Sequence, residues 1–175
     1  LIQEYVKCHG DTPYALKTYL HTYDNTQQKH VPFDLFPEQK EMVKDFENYD
    51  DNIVLKYRQA GVSTATAGWI SKKLQFASKE SPEKILILAN KLKGFLRQWP
   101  DWINVGFDKD KNSQKHYKLN NGSEVKAVAT SVDALRGYTP TILVFDEAAY
   151  IESGGNLWAA CMASLATGGK VIVIS

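Results

Sequence analysis

From Ile53 onward, hydrophobic residues fall into short unbroken runs that alternate with segments of helical spacing. The four runs are Ile53–Leu55, Ile85–Ala89, Ile142–Phe145 and Val171–Ile174. Runs without intervening polar residues are typical of strands that are covered on both faces in a parallel sheet. The pattern therefore predicts an α/β fold, a doubly wound and mainly parallel sheet with helices on both faces.

The segments between these runs predict the connecting elements. Apolar residues recur at helical spacing in Thr64–Ala77 and again in Asn156–Leu165, which predicts two helices. Between the second and third runs, His116–Leu119 and Val125–Val128 flank the turn sequence Asn120-Asn121-Gly122-Ser123. This arrangement predicts a hairpin in which the Asn-Gly pair takes positive φ values.

The N-terminal residues are more mixed. Thr12-Pro13 predicts a helix start with the threonine as N-cap. The polar stretch Asp24–His30 predicts a loop, and Pro37 predicts the start of a second helix. We expect residues 1–36 to form a helical extension of the same domain and residues 37–175 to form its core.

The composition is that of an ordinary soluble globular domain. Of 175 residues, 43% are hydrophobic and 23% charged, and the net charge of +1 argues neither for nor against nucleic acid. Cys8 and Cys161 lack metal-type spacing, which fits a reducing compartment, and no signal peptide or membrane-length apolar run is visible. Since the last apolar run stops at Ser175, we expect the chain to be part of a longer protein. A basic cluster fits either a DNA-binding face or a solvated loop: Lys109, Lys111, Lys115, His116 and Lys118.

The first candidate for chemistry is the stretch Leu55–Thr64, which follows an apolar run and leads into a helix. Amide groups at a helix start, aided by the helix dipole, bind phosphate, and a hydroxyl after the glycine can reach a phosphate-bound Mg²⁺. Here Gly61 is followed by Val62 and Ser63, so valine stands where G-x-x-x-x-G-K-[ST] has lysine. The stretch alone is therefore a weak phosphate-loop signal.

The second candidate is Asp146-Glu147, directly after the apolar run Ile142–Phe145. Open α/β sheets bind ligands at the carboxyl ends of their strands, where Asp146 can hold Mg²⁺ and Glu147 can polarise an attacking water. Alternatively, Asp146 caps a helix that begins at Ala148. P-loop NTPases of the additional-strand, catalytic-glutamate (RecA-like) type have the same order of parts. In them a phosphate loop is followed by a second strand, a hairpin, an acidic strand end and a further strand.

Four segments together resemble the large terminase subunit of tailed bacteriophages, most of all the form in large contractile-tailed phages. They are Arg58–Thr64, Leu119–Ser123, Asp133–Gly137 and Val144–Ile151. The resemblance extends from about Pro32 to the end and implies the ATPase domain of a motor that pumps viral double-stranded DNA into a procapsid. In this family a nuclease domain normally follows the ATPase domain.

The resemblance also implies roles for individual residues. Ser63 matches the Mg²⁺-contacting hydroxyl, and Asp146 and Glu147 match the metal-binding acid and the catalytic glutamate. Arg58 matches a loop arginine that acts on the γ-phosphate, and Gln39, preceded by Phe36-Pro37, matches a glutamine that reads adenine. The remaining positions expected to contact nucleotide are Gln59, Ala60, Gly61, Val62, Thr64 and Arg136.

Because Val62 stands where the loop lysine is expected, another residue has to supply positive charge at the phosphates. Some terminases carry this lysine at the start of the loop, five residues before the glycine, and Lys56 occupies that place. Arg58 is a second source of charge, whereas the plain alternative for Lys56 is a strand-end lysine that extends into solvent. Arg136 fits a phosphate sensor, a DNA-facing residue or the end of a helix closed by Gly137.

The implied ligands are ATP and Mg²⁺. The implied partners are double-stranded DNA, the phage portal ring and the small terminase subunit. We expect a homo-oligomeric ring during packaging, a monomeric fragment, no membrane and a location in the host bacterial cytoplasm. Two other functions stay open at this point, a helicase-type DNA translocase and an assembly module that binds nucleotide without hydrolysis.

Overall fold

The computed structural model describes residues 1–57, 59–87, 92–108, 113, 116–127, 138–150, 154–165 and 168–175. Its helices are α1 (Ile2–Gly10), α2 (Thr12–Tyr19), α3 (Pro37–Asn48), α4 (Val62–Phe76), α5 (Leu92–Leu96) and α6 (Gly154–Ser164). Its strands are β1 (His21–Asp24), β2 (Lys29–Pro32), β3 (Asp51–Val54), β4 (Lys84–Ile87), β5 (His116–Lys118), β6 (Glu124–Ala127), β7 (Ile142–Phe145) and β8 (Lys170–Ile174).

The main sheet has six strands in the order β3-β8-β7-β4-β6-β5. All neighbouring pairs are parallel except β5 and β6, which form an antiparallel pair. The last strand in the sequence, β8, therefore lies between β3 and β7. The predicted additional-strand layout and the mainly parallel α/β fold are confirmed.

Side chains of the central strands alternate between two cores. Ile85, Ile142 and Ile172 belong to the larger core, which also includes buried residues of α2, α3, α4 and α5. The neighbouring residues on the strands, such as Leu86 and Leu143, point to the opposite face and form a smaller core near α6. Because successive strand residues face opposite sides, the unbroken apolar runs supply both cores at once.

The prediction that the first run is covered on both faces is wrong. β3 is an edge strand of the sheet, and Ile53 and Leu55 are 78% and 84% exposed. A buried strand and an edge strand can carry the same short apolar run, so the hydrophobic pattern alone could not separate them.

The predicted hairpin is confirmed, with Tyr117 paired to Val125. Its turn differs from the prediction, because in the loop only Gly122 has positive φ, at 87°. The Asn121 amide instead donates to the carbonyls of Leu74 and Ala77, at 2.8 and 3.0 Å. Asn121 thus satisfies carbonyl groups at the end of α4 and fixes the hairpin against it.

The N-terminal part differs from its prediction in two details. The N-cap of α2 is Asp11, whose carboxylate accepts from the amide of Tyr14 at 2.9 Å, and not Thr12. The stretch Asp24–His30, predicted as a loop, contributes to β1 and β2, which pair in a hairpin. Residues of α1 and α2 enter the larger core. No helix in the described ranges is long and apolar enough to cross a membrane.

Candidate functional site

Three strand ends meet at one edge of the sheet. Since β3, β8 and β7 are parallel, the segments that follow Val54, Ile174 and Phe145 emerge on the same side. The amide of Lys56 donates to the Ser175 carbonyl at 2.8 Å, and the Ser175 amide donates to Val54 at 3.0 Å. The backbone at the start of the loop is therefore fixed to the neighbouring strand.

The loop ends at Gly61, which is the N-cap of α4 and has φ 70°. The first amides of a helix have no intrahelical partner, and no described side chain caps those of α4. These amides, from Val62, Ser63 and Thr64, form a partial positive charge suited to an anion. The Val62 side chain is 8% exposed and packs in the larger core, so it contributes no charge to the loop.

Lys56 lies across the loop. Its Nζ donates to Oδ1 of Asp146 at 2.8 Å and to Oγ of Ser63 at 3.1 Å. The side chains of Lys56 and Asp146 are 18% and 9% exposed. Lys56 therefore does not extend into solvent, and Asp146 makes no hydrogen bond to the described residues of the 3₁₀ turn Ala148–Tyr150 that follows it.

Gln39 connects α3 with the loop. Its Nε2 donates to the Ala60 carbonyl at 2.9 Å, and its Oε1 accepts from the amide of Phe36 at 3.1 Å. The residue is only 7% exposed. A Cβ at Gly61 would lie 2.7 Å from Nε2 of Gln39, so a side chain there would force the Gln39 amide to shift. The loop and the glutamine thus fit closely together.

Two residues of the site have a strained backbone. Among the described residues other than glycine, positive φ occurs at Gln28, Gln59 and Glu147, with φ of 51°, 66° and 58°. Gln59 lies in the loop, and Glu147 is an exposed residue directly after Asp146. Such backbone conformations cost free energy and are concentrated at functional sites.

Arg58 and Arg136 lie outside the described residues, as do Lys109, Lys111 and Lys115. Of the basic cluster, His116 and Lys118 are described, both on β5, and Nε2 of His116 lies 3.0 Å from a carboxylate oxygen of Glu124. The described residues contain no group of three or more His, Cys, Asp and Glu side chains suited to a metal ion. Mg²⁺ sites that use substrate phosphates require only one or two carboxylates.

Sequence reasoning missed two features of this site. The carbonyl of Ser175 fixes the Lys56 backbone, which depends on β8 lying beside β3. The left-handed backbone at Gln59 and Glu147 has no sequence signal, because neither residue is a glycine or an asparagine.

One solved structure shares the fold of this chain. The crystal structure of the HK97 bacteriophage large terminase matches 95% of this chain with a TM-score of 0.68 and 16% sequence identity. This chain has the fold of a large terminase. The matched region is 37% of the HK97 protein, so the chain spans little more than a third of its length. No family model matches the sequence.

The terminase fold supports the resemblance drawn from the motifs. It extends that resemblance to the N-terminal part, because 95% of the chain is covered whereas the motifs extend only from about Pro32. At this identity the likeness concerns the fold, and function has to be argued from the side chains at the sheet edge.

Proposed function

We propose that this chain binds ATP with Mg²⁺ at the edge formed by β3, β8 and β7, and hydrolyses it as the motor domain of a phage terminase. The observation that carries the proposal is the meeting of Lys56, Ser63 and Asp146 beside the start of α4. An ammonium group, a hydroxyl, a carboxylate and uncapped helix amides are the groups that a phosphate-binding loop needs. The terminase fold supports the same function.

Lys56 is proposed to take the role of the phosphate-loop lysine, whose usual position is occupied by Val62. Its flexible stem lets Nζ move from Asp146 to phosphate oxygens above the α4 amides. Arg58 is proposed to add charge at the γ-phosphate, and Arg136 to contact nucleotide. Together these groups would stabilise the negative charge that develops on the oxygens during transfer.

Asp146 and Ser63 are proposed to hold Mg²⁺. The fit is supported by Lys56 Nζ, a cationic group that contacts a carboxylate oxygen and a hydroxyl oxygen together. Oxygen ligands of this kind suit Mg²⁺, with phosphates and waters as further ligands. The bound ion would neutralise charge on the phosphate oxygens.

Glu147 is proposed to orient and polarise the attacking water. It is exposed and directly follows Asp146, and its backbone is left-handed. Gln39 is proposed to read adenine. An amide has two N–H donors and two acceptor lone pairs, so one of each remains for a base beyond the bonds to Ala60 and Phe36.

The partners follow from the proposed motor. Double-stranded DNA is the proposed cargo, the portal ring and the small terminase subunit are the proposed docking partners, and a homo-oligomeric ring is the proposed working assembly. Packaging would take place at the procapsid in the host bacterial cytoplasm.

The test is the Glu147→Gln variant of the protein. We expect phosphate release to fall by about 10²–10⁴-fold while ATP binding is retained, because only the base is removed. Glu41→Gln, an exposed glutamate in the middle of α3, is the matched control and should hydrolyse at the wild-type rate. Unchanged turnover in Glu147→Gln would overturn the assignment of the base.

A further inference from the structure

Lys56 contacts the same two oxygens that are proposed to hold the metal. Its Nζ lies 2.8 Å from Oδ1 of Asp146 and 3.1 Å from Oγ of Ser63. A cation beside these oxygens compensates the Asp146 carboxylate, whose side chain is only 9% exposed. The ammonium group of Lys56 thus supplies the positive charge that this position requires.

A divalent ion and the ammonium group cannot share this position. Mg²⁺ binds carboxylate oxygens at about 2.0–2.1 Å. With Nζ at 2.8 Å from the same oxygen, the two cations would lie a few ångströms apart and repel each other strongly. Direct metal binding by Oδ1 of Asp146 therefore requires that the Lys56 ammonium group moves away from this oxygen.

Only the side chain has to move. The Lys56 amide is hydrogen-bonded to Ser175 on β8, and the Ser175 amide is hydrogen-bonded to Val54, so the backbone on both sides is paired. The lysine stem has four carbons and rotates freely enough to transfer Nζ to another acceptor. A triphosphate above the start of α4 offers such acceptors, whereas a free metal ion offers none.

We propose that Lys56 is a latch that closes the metal position until nucleotide arrives. It blocks Mg²⁺ binding to the nucleotide-free protein, and it releases Asp146 when phosphate oxygens replace the carboxylate as its partner. Nucleotide and metal then bind as a coupled pair, with each raising the affinity for the other. This inference rests on the proposed function for the identity of the metal ligands.

The test measures divalent-ion binding in the absence of nucleotide, with Mn²⁺ as the probe and electron paramagnetic resonance of the free ion as the readout. Wild-type protein should bind weakly, and Lys56→Met, which keeps the stem but removes the charge, should bind at least about tenfold tighter. Lys56→Ala serves as a second variant, and circular dichroism shows which variants are folded. Lys40→Met, which changes a lysine paired with Asp34 on the surface, should match wild type.

A double variant identifies the ligand. Adding Asp146→Asn to Lys56→Met should remove the gained Mn²⁺ affinity, since the carboxylate is the proposed ligand. Equal Mn²⁺ affinity in wild type and in folded Lys56 variants would overturn the latch, as would a gain that survives Asp146→Asn. A Lys56→Met gain in a protein that binds no ATP would support the block at the metal position, but it would overturn the proposed function and with it the release of Lys56 by nucleotide. ATP·Mg²⁺ binding without that gain would overturn the latch alone.

Discussion

Lys56 and Asp146 are 90 residues apart in the sequence, yet Nζ of the lysine lies 2.8 Å from Oδ1 of the aspartate. The contact exists because β8 lies between β3 and β7 and aligns their carboxyl ends. The strand inserted between the phosphate loop and the acidic pair thus sets the distance between them. The Lys56 side chain then spans the distance from the loop to Asp146.

The close fit between Gly61 and Gln39 predicts that Gly61→Ala destabilises the fold. Alanine at φ 70° costs about 1–2 kcal/mol, and its Cβ would meet Nε2 of Gln39 at 2.7 Å. Urea unfolding should show this loss for Gly61→Ala. In the double variant with Gln39→Ala the clash is absent, so the loss should be smaller than the sum of the two single losses. Additive losses would show that the two residues do not touch.

The left-handed backbone at Glu147 predicts an unusual preference for glycine. Glu147→Gly should be more stable than Glu147→Ala by about 1 kcal/mol, because glycine adopts φ 58° without strain. Glu41 in α3 is the matched control, and there glycine should be less stable than alanine by about 1 kcal/mol. Chemical denaturation of the four variants measures both differences. If the glycine variant is less stable than the alanine variant at both positions, strain at Glu147 is contradicted.

A charged cluster joins α2, α3 and α4 away from the site. Glu47 accepts from Trp69 at 2.9 Å and from Thr12 at 3.1 Å, and Lys72 lies 3.5 Å from its carboxylate. Burial opposes ionisation of Glu47, but the charges of Lys72 and Lys73 and these hydrogen bonds outweigh it, so the pKa of Glu47 is lowered. Burial lowers the pKa of Lys72 in turn, despite the neighbouring Glu47.

The lowered pKa of Glu47 predicts a stability contribution that depends on pH. A depressed carboxyl pKa stabilises the fold above the ordinary value of 4.5, and this stabilisation is lost as pH falls through the folded-state pKa. Glu47→Gln should therefore cost about 1–2 kcal/mol at pH 7, after allowance for solvent screening, and progressively less below about pH 4.5. Urea unfolding at several pH values measures the difference.

Asp34→Asn is the control for this prediction. Asp34 pairs with Lys17 and Lys40 on the surface, with all three side chains 44% exposed or more. Exposed pairs contribute little, so this variant should lose less stability than Glu47→Gln at pH 7. An equal loss for the two variants, or a Glu47→Gln loss that stays constant down to pH 3, would contradict the role of the cluster.

Much of the fold could be predicted because its signals are local. Unbroken apolar runs predicted the central strands, and helical spacing predicted α4 and α6. The exposure of Ile53 and Leu55 could not be predicted, because it depends on which strand lies at the edge. The β1–β2 hairpin was missed because its residues are mostly polar, without alternation that marks a buried face.

The site was predictable in its parts but not in its contacts. The terminase resemblance indicated Lys56, Ser63 and Asp146, and the structure brings these three together. That Lys56 bonds to Asp146, and that Gln39 bonds to Ala60, depends on how the strands and α3 are arranged. The backbone strain at Gln59 and Glu147 likewise arises from tertiary structure.

The most direct test of the account is a crystal structure of the chain with a non-hydrolysable ATP analogue and Mg²⁺. We predict that Lys56 Nζ leaves Asp146 and contacts a phosphate oxygen above the start of α4, while the metal ion binds Asp146 and Ser63. A nucleotide bound elsewhere, or a Lys56 that still contacts Asp146 with the phosphates in place, would contradict the account.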